Sequence, residues 1–329
     1  MNAAPDTAAD KVAKTVHVIS VSGGKDSTAT LLIALERCPA DSVVPIFCDT
    51  GNEHQETYDY LGYLEQALGV TITRLQADFT QELAAKRKFI ARDVRTGRDK
   101  FGRRIRWSNK AKRRALAVMH PSGNPFLDLC MWKGRFPSRK AQFCTEELKT
   151  NMAVEFQLEL IEAGHRVISW QGVRRDESEN RKNAKLFERV GRGLYQFRPI
   201  AAWTALDVFS FCASRSVQPN PLYLQGMGRV GCMPCINCNK AELRQIATRF
   251  PEHPQRISDW EHIVSACSKR GYSTFMADAH KAKDRRQVFA DLNIWTRIEW
   301  SKTTRGGQQF DLLGTPDSAV CSSSYGLCE

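Results

Sequence analysis

Residues 22–27, Ser22-Gly23-Gly24-Lys25-Asp26-Ser27, restrict the fold of this chain more than any other stretch. The apolar run 17–21 before them predicts a buried strand, and residues 28–36 after them predict a helix. Strand, glycine turn and helix start together make an anion site. Glycines let backbone N–H groups turn inward, and the helix start adds unpaired donors and partial positive charge. Ser22 and Ser27 bring hydroxyls, Lys25 a cation and Asp26 a carboxylate. Without a ligand the same stretch is a Gly-Gly turn ahead of a surface helix. The spacing is neither Gly-x4-Gly-Lys-Ser/Thr nor Gly-x-Gly-x-x-Gly, so it is not a Walker loop or a dinucleotide fingerprint.

Further strands and helices alternate along the chain. Residues 43–47 predict a second strand that runs into Asp49-Thr50-Gly51. Residues 53–68 carry Tyr58, Leu61, Leu64 and Leu68 at helical spacing, with Gly69 as the C-cap. The β-branched run 70–75 predicts a third strand, and 167–170 another. Alternation of this kind implies a parallel sheet, and ligands bind at the carboxyl ends of such strands. Asp49 there can hold a nucleotide hydroxyl or magnesium, or simply open a turn. Gly172, Arg174, Arg175 and Arg181 follow the 167–170 strand. Arginine forks there can grip phosphate or sulfate oxygens, or belong to a charged turn. Lys149, one turn into a helix predicted over 145–163, can neutralise the same groups; Cys144 ahead of it is a ligand or a buried core thiol. Thr204 reads as an N-cap with Asp207 at capping-box distance. Beyond it helices dominate, interrupted at Pro251 and Pro254, with His253, His262 and His280 read as surface or satisfied histidines.

The formal charge is +12 over 329 residues. Residues 86–114 hold fourteen Lys or Arg against Asp93 and Asp99, an excess equal to that of the whole chain. Arg103, Arg104 and Arg106 lie at its centre, with Phe101 and Trp107 interleaved. The stretch predicts a helical insertion that contacts DNA or RNA through phosphates and stacking, or a solvated face, or an arm against a partner subunit in a homo-oligomer. Eleven cysteines are many for a reducing compartment and point to metal or redox chemistry. Cys232 and Cys235 stand at Cys-x2-Cys spacing, Cys238 repeats it, and Cys321 with Cys328 add a second pair. Two pairs can hold a [4Fe–4S] cluster or tetrahedral zinc, with Cys238 and Cys144 as alternates; a thiol–disulfide pair is the third possibility. No apolar run reaches membrane-spanning length and residues 1–14 lack a secretory core, so the expectation is a cytoplasmic protein with no membrane partner.

Several ordered phrases carry a family resemblance. Ser-Gly-Gly-x-Asp-Ser resembles the pyrophosphate (PP) loop of the adenine nucleotide alpha hydrolase-like superfamily. Asp49-Thr50-Gly51-x4-Glu56-Thr57 is similar to a phrase of the phosphoadenylyl-sulfate reductases. So are Gly172-x-Arg174-x-x-Glu177-Ser178-x-x-Arg181, Pro199-Ile200-x-x-Trp203-Thr204-x-x-Asp207-Val208, and Asn220-Pro221-Leu222 followed by Gly231-Cys232-x-Pro234-Cys235. The chain is identified as resembling the phosphoadenylyl-sulfate reductase-like PP-loop family, in the wider group that includes the DNA phosphorothioation sulfurtransferase-like proteins.

The resemblance implies a doubly wound parallel α/β sheet with a mostly helical C-terminal region. Its parts would be a tail over 1–14, a nucleotide-binding domain over 15–200 with a basic insertion at 86–125, and a cysteine-rich helical region over 201–329. It implies an enzyme that binds an adenine nucleotide, either ATP with Mg2+ or phosphoadenylyl sulfate, across residues 22–27 and 49–51 with Gly172 and Arg174. Lys25, Asp26, Lys149 and Arg174 would be its catalytic residues. The chemistry would be adenylation or sulfur transfer with a sulfur-donating protein, or sulfite release with a thiol reductant; a nucleotide-sensing scaffold without turnover is the third class.

Overall fold

A computed structural model describes residues 14–191, 193–276, 289 and 291–303. Six strands form one sheet in the order β3-β2-β1-β4-β6-β5. They are β1 (Thr15–Ser20), β2 (Val43–Asp49), β3 (Thr73–Gln76), β4 (Arg166–Trp170), β5 (Phe187–Gly191) and β6 (Leu194–Phe197). The first four and β6 run parallel; β5 pairs antiparallel with β6 at the edge. The doubly wound α/β expectation therefore holds, with one hairpin added. That hairpin alternates apolar and charged residues around Gly191 and Gly193, a short-strand signal that the charged flanks mask.

The sheet is covered on both faces because its strands alternate. Val16 and Val18 of β1 face α7 (Asn151–Glu162), together with Ile46 and Val167. Ile19 faces the other way, onto α1 (Lys25–Arg37), α2 (Gln55–Leu68) and α8 (Ala205–Ser214). α1 is buried from Ser27 to Ala34, which its Thr-Ala-Thr-Leu-Leu-Ile-Ala sequence permits all round. Gly69 caps α2 in the left-handed conformation. Thr204 and Asp207 form the expected capping box on α8. β1 winds to β2 on one side while β4 lies on its other side, so the topological switch falls between β1 and β4.

A second, purely helical core lies beside the sheet. It joins α3 (Thr80–Arg92), α4 (Asn109–Val118) and α5 (Pro125–Lys133) to α10 (Lys240–Arg249), α11 (Glu252–Cys267) and α12 (Ile294–Ser301). Two sequence-distant groups of helices thus bury one apolar surface around Leu83, Leu129, Ile257 and Phe275. The basic stretch has a structural part in this packing. Arg87 donates to the carbonyls of Leu116 and Met119 at the end of α4, at 2.8 and 2.7 Å. Arg114 donates to those of Ala266 and Ser268 at the end of α11, at 3.1 and 2.6 Å. Cations at helix C-termini satisfy orphan carbonyls and oppose the helix dipole. Trp107, expected to stack on a base, is instead buried in this core. Phe101 is exposed but lies under the guanidinium of Arg103, 4.7 Å away.

Candidate functional site

The loop 22–27 sits at the carboxyl end of β1, where the switch opens the sheet. Its hydrogen bonds are mostly internal. Ser27 Oγ accepts the Ser22 N–H at 3.0 Å and donates to the Gly24 carbonyl at 2.9 Å. The Lys25 N–H donates to the Tyr223 hydroxyl at 3.1 Å, and Asn220 Nδ2 to the Gly23 carbonyl at 3.1 Å. The N–H groups of Gly23 and Gly24 have no hydrogen-bond partner among the described residues. Gly23 takes φ +73°, and a Cβ there would stand 2.8 Å from Thr57 Cγ2. Thr57 is buried, and its hydroxyl finds no partner either.

Charge at the loop is balanced within the protein. Asp26 accepts from Lys25 Nζ at 3.0 Å and from Arg174 Nε at 2.6 Å, and Arg174 also pairs with Asp176. Arg174 is buried; desolvation works against its charge, but Asp26, Asp176 and Glu177 outweigh it and raise its pKa. Arg174 gets there from β4 because Gly172 lets the chain pass close. A Cβ on Gly172 would lie 2.7 Å from the Asp26 carbonyl and 2.9 Å from the Ser27 nitrogen. The other two arginines of that segment are not brought to the loop. Arg175 donates to the Ala184 carbonyl at 2.9 Å, and Arg181 pairs with Glu177.

At the end of β2, Asp49 Oδ1 accepts from the Gly51 N–H at 2.8 Å and the Tyr58 hydroxyl at 2.7 Å. Gly51 takes φ +71° and packs against Asn124. Thr50 donates its hydroxyl to Glu53 at 2.7 Å. Glu53, which sequence reasoning passed over as a helix start, is buried.

Residues 16–238 match the phosphoadenosine phosphosulfate reductase domain family. The chain belongs to that family. A 37.8 kDa protein of the gpa 5' region of Escherichia phage 186 is 45% identical over 96% of this chain and 97% of its own length. The adenosine 5'-phosphosulfate reductase of Streptomyces coelicolor is 42% identical over a shorter span, 22% of this chain and 31% of that protein. The phosphoadenylyl-sulfate reductase of Candida auris, solved as a phosphate complex, superposes with a TM-score of 0.40 at 16% identity over 67% of this chain and 82% of that chain.

In this reductase-domain chain the cysteine phrase docks onto the end of β2. Met233 N–H donates to the Asn52 carbonyl at 2.7 Å, and Asn52 Nδ2 to the Pro234 carbonyl at 3.0 Å. Arg256 ties the two together, donating to Asn52 Oδ1 at 2.8 Å and the Met233 carbonyl at 2.9 Å. Cys232 thereby lies 3.4 Å from Thr50 Oγ1 and 3.6 Å from Glu53 Oε1. Lys149 comes to the same place in a π-helical turn, Glu146–Thr150, rather than in a regular helix. The turn frees the Lys149 carbonyl to accept from Cys48 Sγ at 3.5 Å. The Lys149 ammonium is held above its ordinary value by Cys232 and then, against desolvation, by Glu53, Cys235 and Cys48. Burial pushes the Cys232 thiol up to about 12 although Lys149 opposes it, and Cys48 up to about 11. Cys144 and Cys238 are raised by burial as well.

These thiols do not converge on a single-ion site. Among the described residues no three cysteines bring their sulfurs within 4.8 Å of one another, and Cys321 and Cys328 lie outside the described residues. The convergent group is His54, Glu252 and His253, whose ligand atoms lie within 4.8 Å, a metal-like set with nitrogen and oxygen donors. Its protonation limits it. His54 Nδ1 accepts the Glu56 N–H at 3.1 Å, and His253 Nδ1 lies 2.9 Å from the Arg256 guanidinium, which can only donate. Each neutral ring then carries its proton on Nε2 and has no second lone pair for a cation. Burial lowers His54, and burial with Arg256 and His54 pushes His253 down to about 4. His253 is therefore a satisfied neutral histidine, as its sequence context suggested; His280 lies outside the described residues.

The residues missed by sequence reasoning are Tyr223, Asn220, Thr57, Glu53 and Arg256. Tyr223 and Asn220 stood in a recognised phrase, but nothing in it says that they touch residues 23 and 25. Arg104 and Arg106 of the basic stretch are exposed, and Arg103 pairs with Asp99 at 2.7 Å.

Proposed function

We propose that the chain binds an adenine nucleotide by its phosphates at residues 22–27 and uses it for adenylation and sulfur transfer. One observation carries this reading: the unpartnered amides of Gly23 and Gly24 stand at the start of α1, beside a Lys25–Asp26–Arg174 cluster, at the switch of a reductase-domain sheet. Amides and helix start take a phosphate oxygen. Lys25 and Arg174 stand beside the phosphates with their charge shared by Asp26, which holds both cations in place. Ser22 and Ser27 shape the loop. Asp49, with Thr50 and Gly51, meets a ribose hydroxyl or the magnesium that accompanies ATP; its Oδ2 has no partner among the described residues.

With ATP, an acceptor oxygen attacks the α-phosphorus, the α–β bridging P–O bond breaks, and pyrophosphate leaves. The terminal sulfur of a persulfide on a sulfur-donating protein then displaces AMP from the activated acceptor, and a second thiol cleaves the resulting S–S bond, leaving the sulfur on the acceptor and a disulfide on the donor. A nucleic acid is the acceptor favoured by the chain's basic surface, where Arg104 and Arg106 are exposed. The reductase alternative needs a thiolate to attack the sulfur of phosphoadenylyl sulfate, releasing the adenine nucleotide and leaving a thiosulfonate that a thiol reductant discharges as sulfite. A [4Fe–4S] or zinc centre on Cys232 and Cys235 would take its other ligands from Cys321 and Cys328, which lie outside the described residues, or from Cys144 and Cys238, and no step above passes through it.

Binding of ATP–magnesium and of phosphoadenylyl sulfate, followed by product analysis, tests this. Pyrophosphate with AMP is the expected outcome; sulfite selects the reductase, and bound, unchanged ATP selects a sensor. Asp26→Ala is expected to weaken nucleotide binding about tenfold or more, the scale of a lost charge-assisted contact. Unchanged affinity in both Asp26→Ala and Ser27→Ala refutes the site.

A further inference from the structure

A second concave surface lies away from the loop. A cleft of about 1390 Å³ opens in the helical part, walled by α3, the segment 133–140, the start of α10, the turn 267–276 and α12. Ten lysines and arginines line it and, among the described residues, no aspartate or glutamate does. In a chain with 48 basic and 36 acidic residues, that segregation is a property of the cleft and not of the composition. Two of the cations reach carboxylates behind the wall: Arg95 pairs with Asp93 at 2.8 Å and Lys133 with Glu147 at 2.7 Å. Arg139, Lys140 and Arg270 are exposed and have no acidic partner among the described residues. Lys86 is lowered by burial and then by Arg95 and Lys133, which shows like charges crowding one place. A concave, single-sign surface with low-dielectric walls concentrates counter-ions.

We propose that this cleft binds a single strand of nucleic acid. With Arg95, Lys133 and Arg297 set aside, the remaining cations of the cleft still exceed what one nucleotide's phosphates can neutralise, so the occupant is a polyanion. Phe89 and Trp300 are 43% and 38% exposed on its walls, each with cations over its ring: Arg95 at 4.8 Å and Lys240 at 4.9 Å. Aromatic faces interleaved with cations are the arrangement that stacks bases while it tracks phosphates. The cations line a recess between packed helices and not a projecting helix, so a strand is favoured over a duplex. Cys238, on the wall, ends the cysteine phrase whose first member, Cys232, lies against Thr50 at the end of β2. The binding proposal stands on the cleft alone; only the strand's role as acceptor rests on the nucleotide reading.

The test is fluorescence anisotropy of the full chain with a labelled oligothymidylate or oligouridylate of about twelve nucleotides. Binding should fall steeply with salt. Arg139→Glu/Lys140→Glu/Arg270→Glu should weaken it about tenfold or more and make the log–log salt slope shallower by about two, at roughly 0.7 per lost phosphate contact. The same variant should keep its affinity for ATP–magnesium. If charge reversal unfolds the chain, Arg139→Gln/Lys140→Gln replaces it, since it removes charge without adding acid. The proposal is overturned by equal binding of variant and parent, by loss of binding in Arg103→Gln/Arg104→Gln/Arg106→Gln alone, by a duplex bound as tightly as the strand, or by inorganic triphosphate binding in place of either oligonucleotide.

Discussion

Two carboxylates, Asp26 on the sheet side of this protein and Glu261 on its helical side, are met in opposite ways. On the sheet side a carboxylate at the site has cations: Asp26 is held by Lys25 and Arg174. On the helical side Glu261 is almost fully buried and accepts, among the described residues, the N–H groups of Phe275 and Ile294, at 2.8 and 3.0 Å. The cations there line a cleft without acids instead. The loop is thus electrically complete before its ligand arrives, and its specificity lies in free amides and close backbone packing. The cleft carries a standing excess of charge that an anion relieves. Desolvated charge is tolerated when paired and costs stability when it is not.

The sharpest way to break this contrast is to disturb the packing that completes the loop. Gly172→Ala puts a methyl 2.7 Å from the Asp26 backbone, where no flexible side chain can give way. We expect a loss of about 3 kcal/mol in denaturant unfolding, at the upper end for overpacking, together with loss of nucleotide binding. Normal stability and affinity would mean that the close approach of β4 to the loop is not real.

The next effect belongs to Glu261, which burial raises from 4.5 to about 7 despite its two N–H donors and His262. Its folded-state value lies above its unfolded one, so the folded state keeps the proton longer. Its contribution is full below the unfolded value and is lost as pH rises toward 7. We expect stability to fall by about 2 kcal/mol from pH 5 to pH 7 on this account. Unfolding midpoints in Glu261→Gln should show that slope removed; an unchanged slope assigns the pH dependence to other groups.

The smallest effect is expected on the outer basic loop. Arg103 and Asp99 form a half-exposed i,i+4 pair. Arg103→Gln should change stability by less than about 0.5 kcal/mol, measured by thermal unfolding. A larger loss would show that the 93–108 segment does more than cover Trp107.

The local features of the site were legible in the sequence, because each is set by neighbours along the chain. The strand–glycine loop–helix order, the αL cap at Gly69 and the Thr204–Asp207 box each depend on residues within a few positions. The alternation of strands and helices carried the doubly wound sheet in the same way. The edge hairpin escaped because its charged residues obscured a four-residue strand.

What only the tertiary structure decided are the contacts with no periodic signature. Tyr223 meets Lys25 across 198 positions, Arg174 meets Asp26 across 148, and Arg256 meets Asn52 across 204. Charge counts along the chain located a basic stretch, but they could not show that Arg87 and Arg114 are spent on helix ends while Lys86 and Arg139 share a cleft. Side chains become partners when helices remote in sequence pack on one apolar core, and burial then decides which charges must be paired and which stand open to an anion.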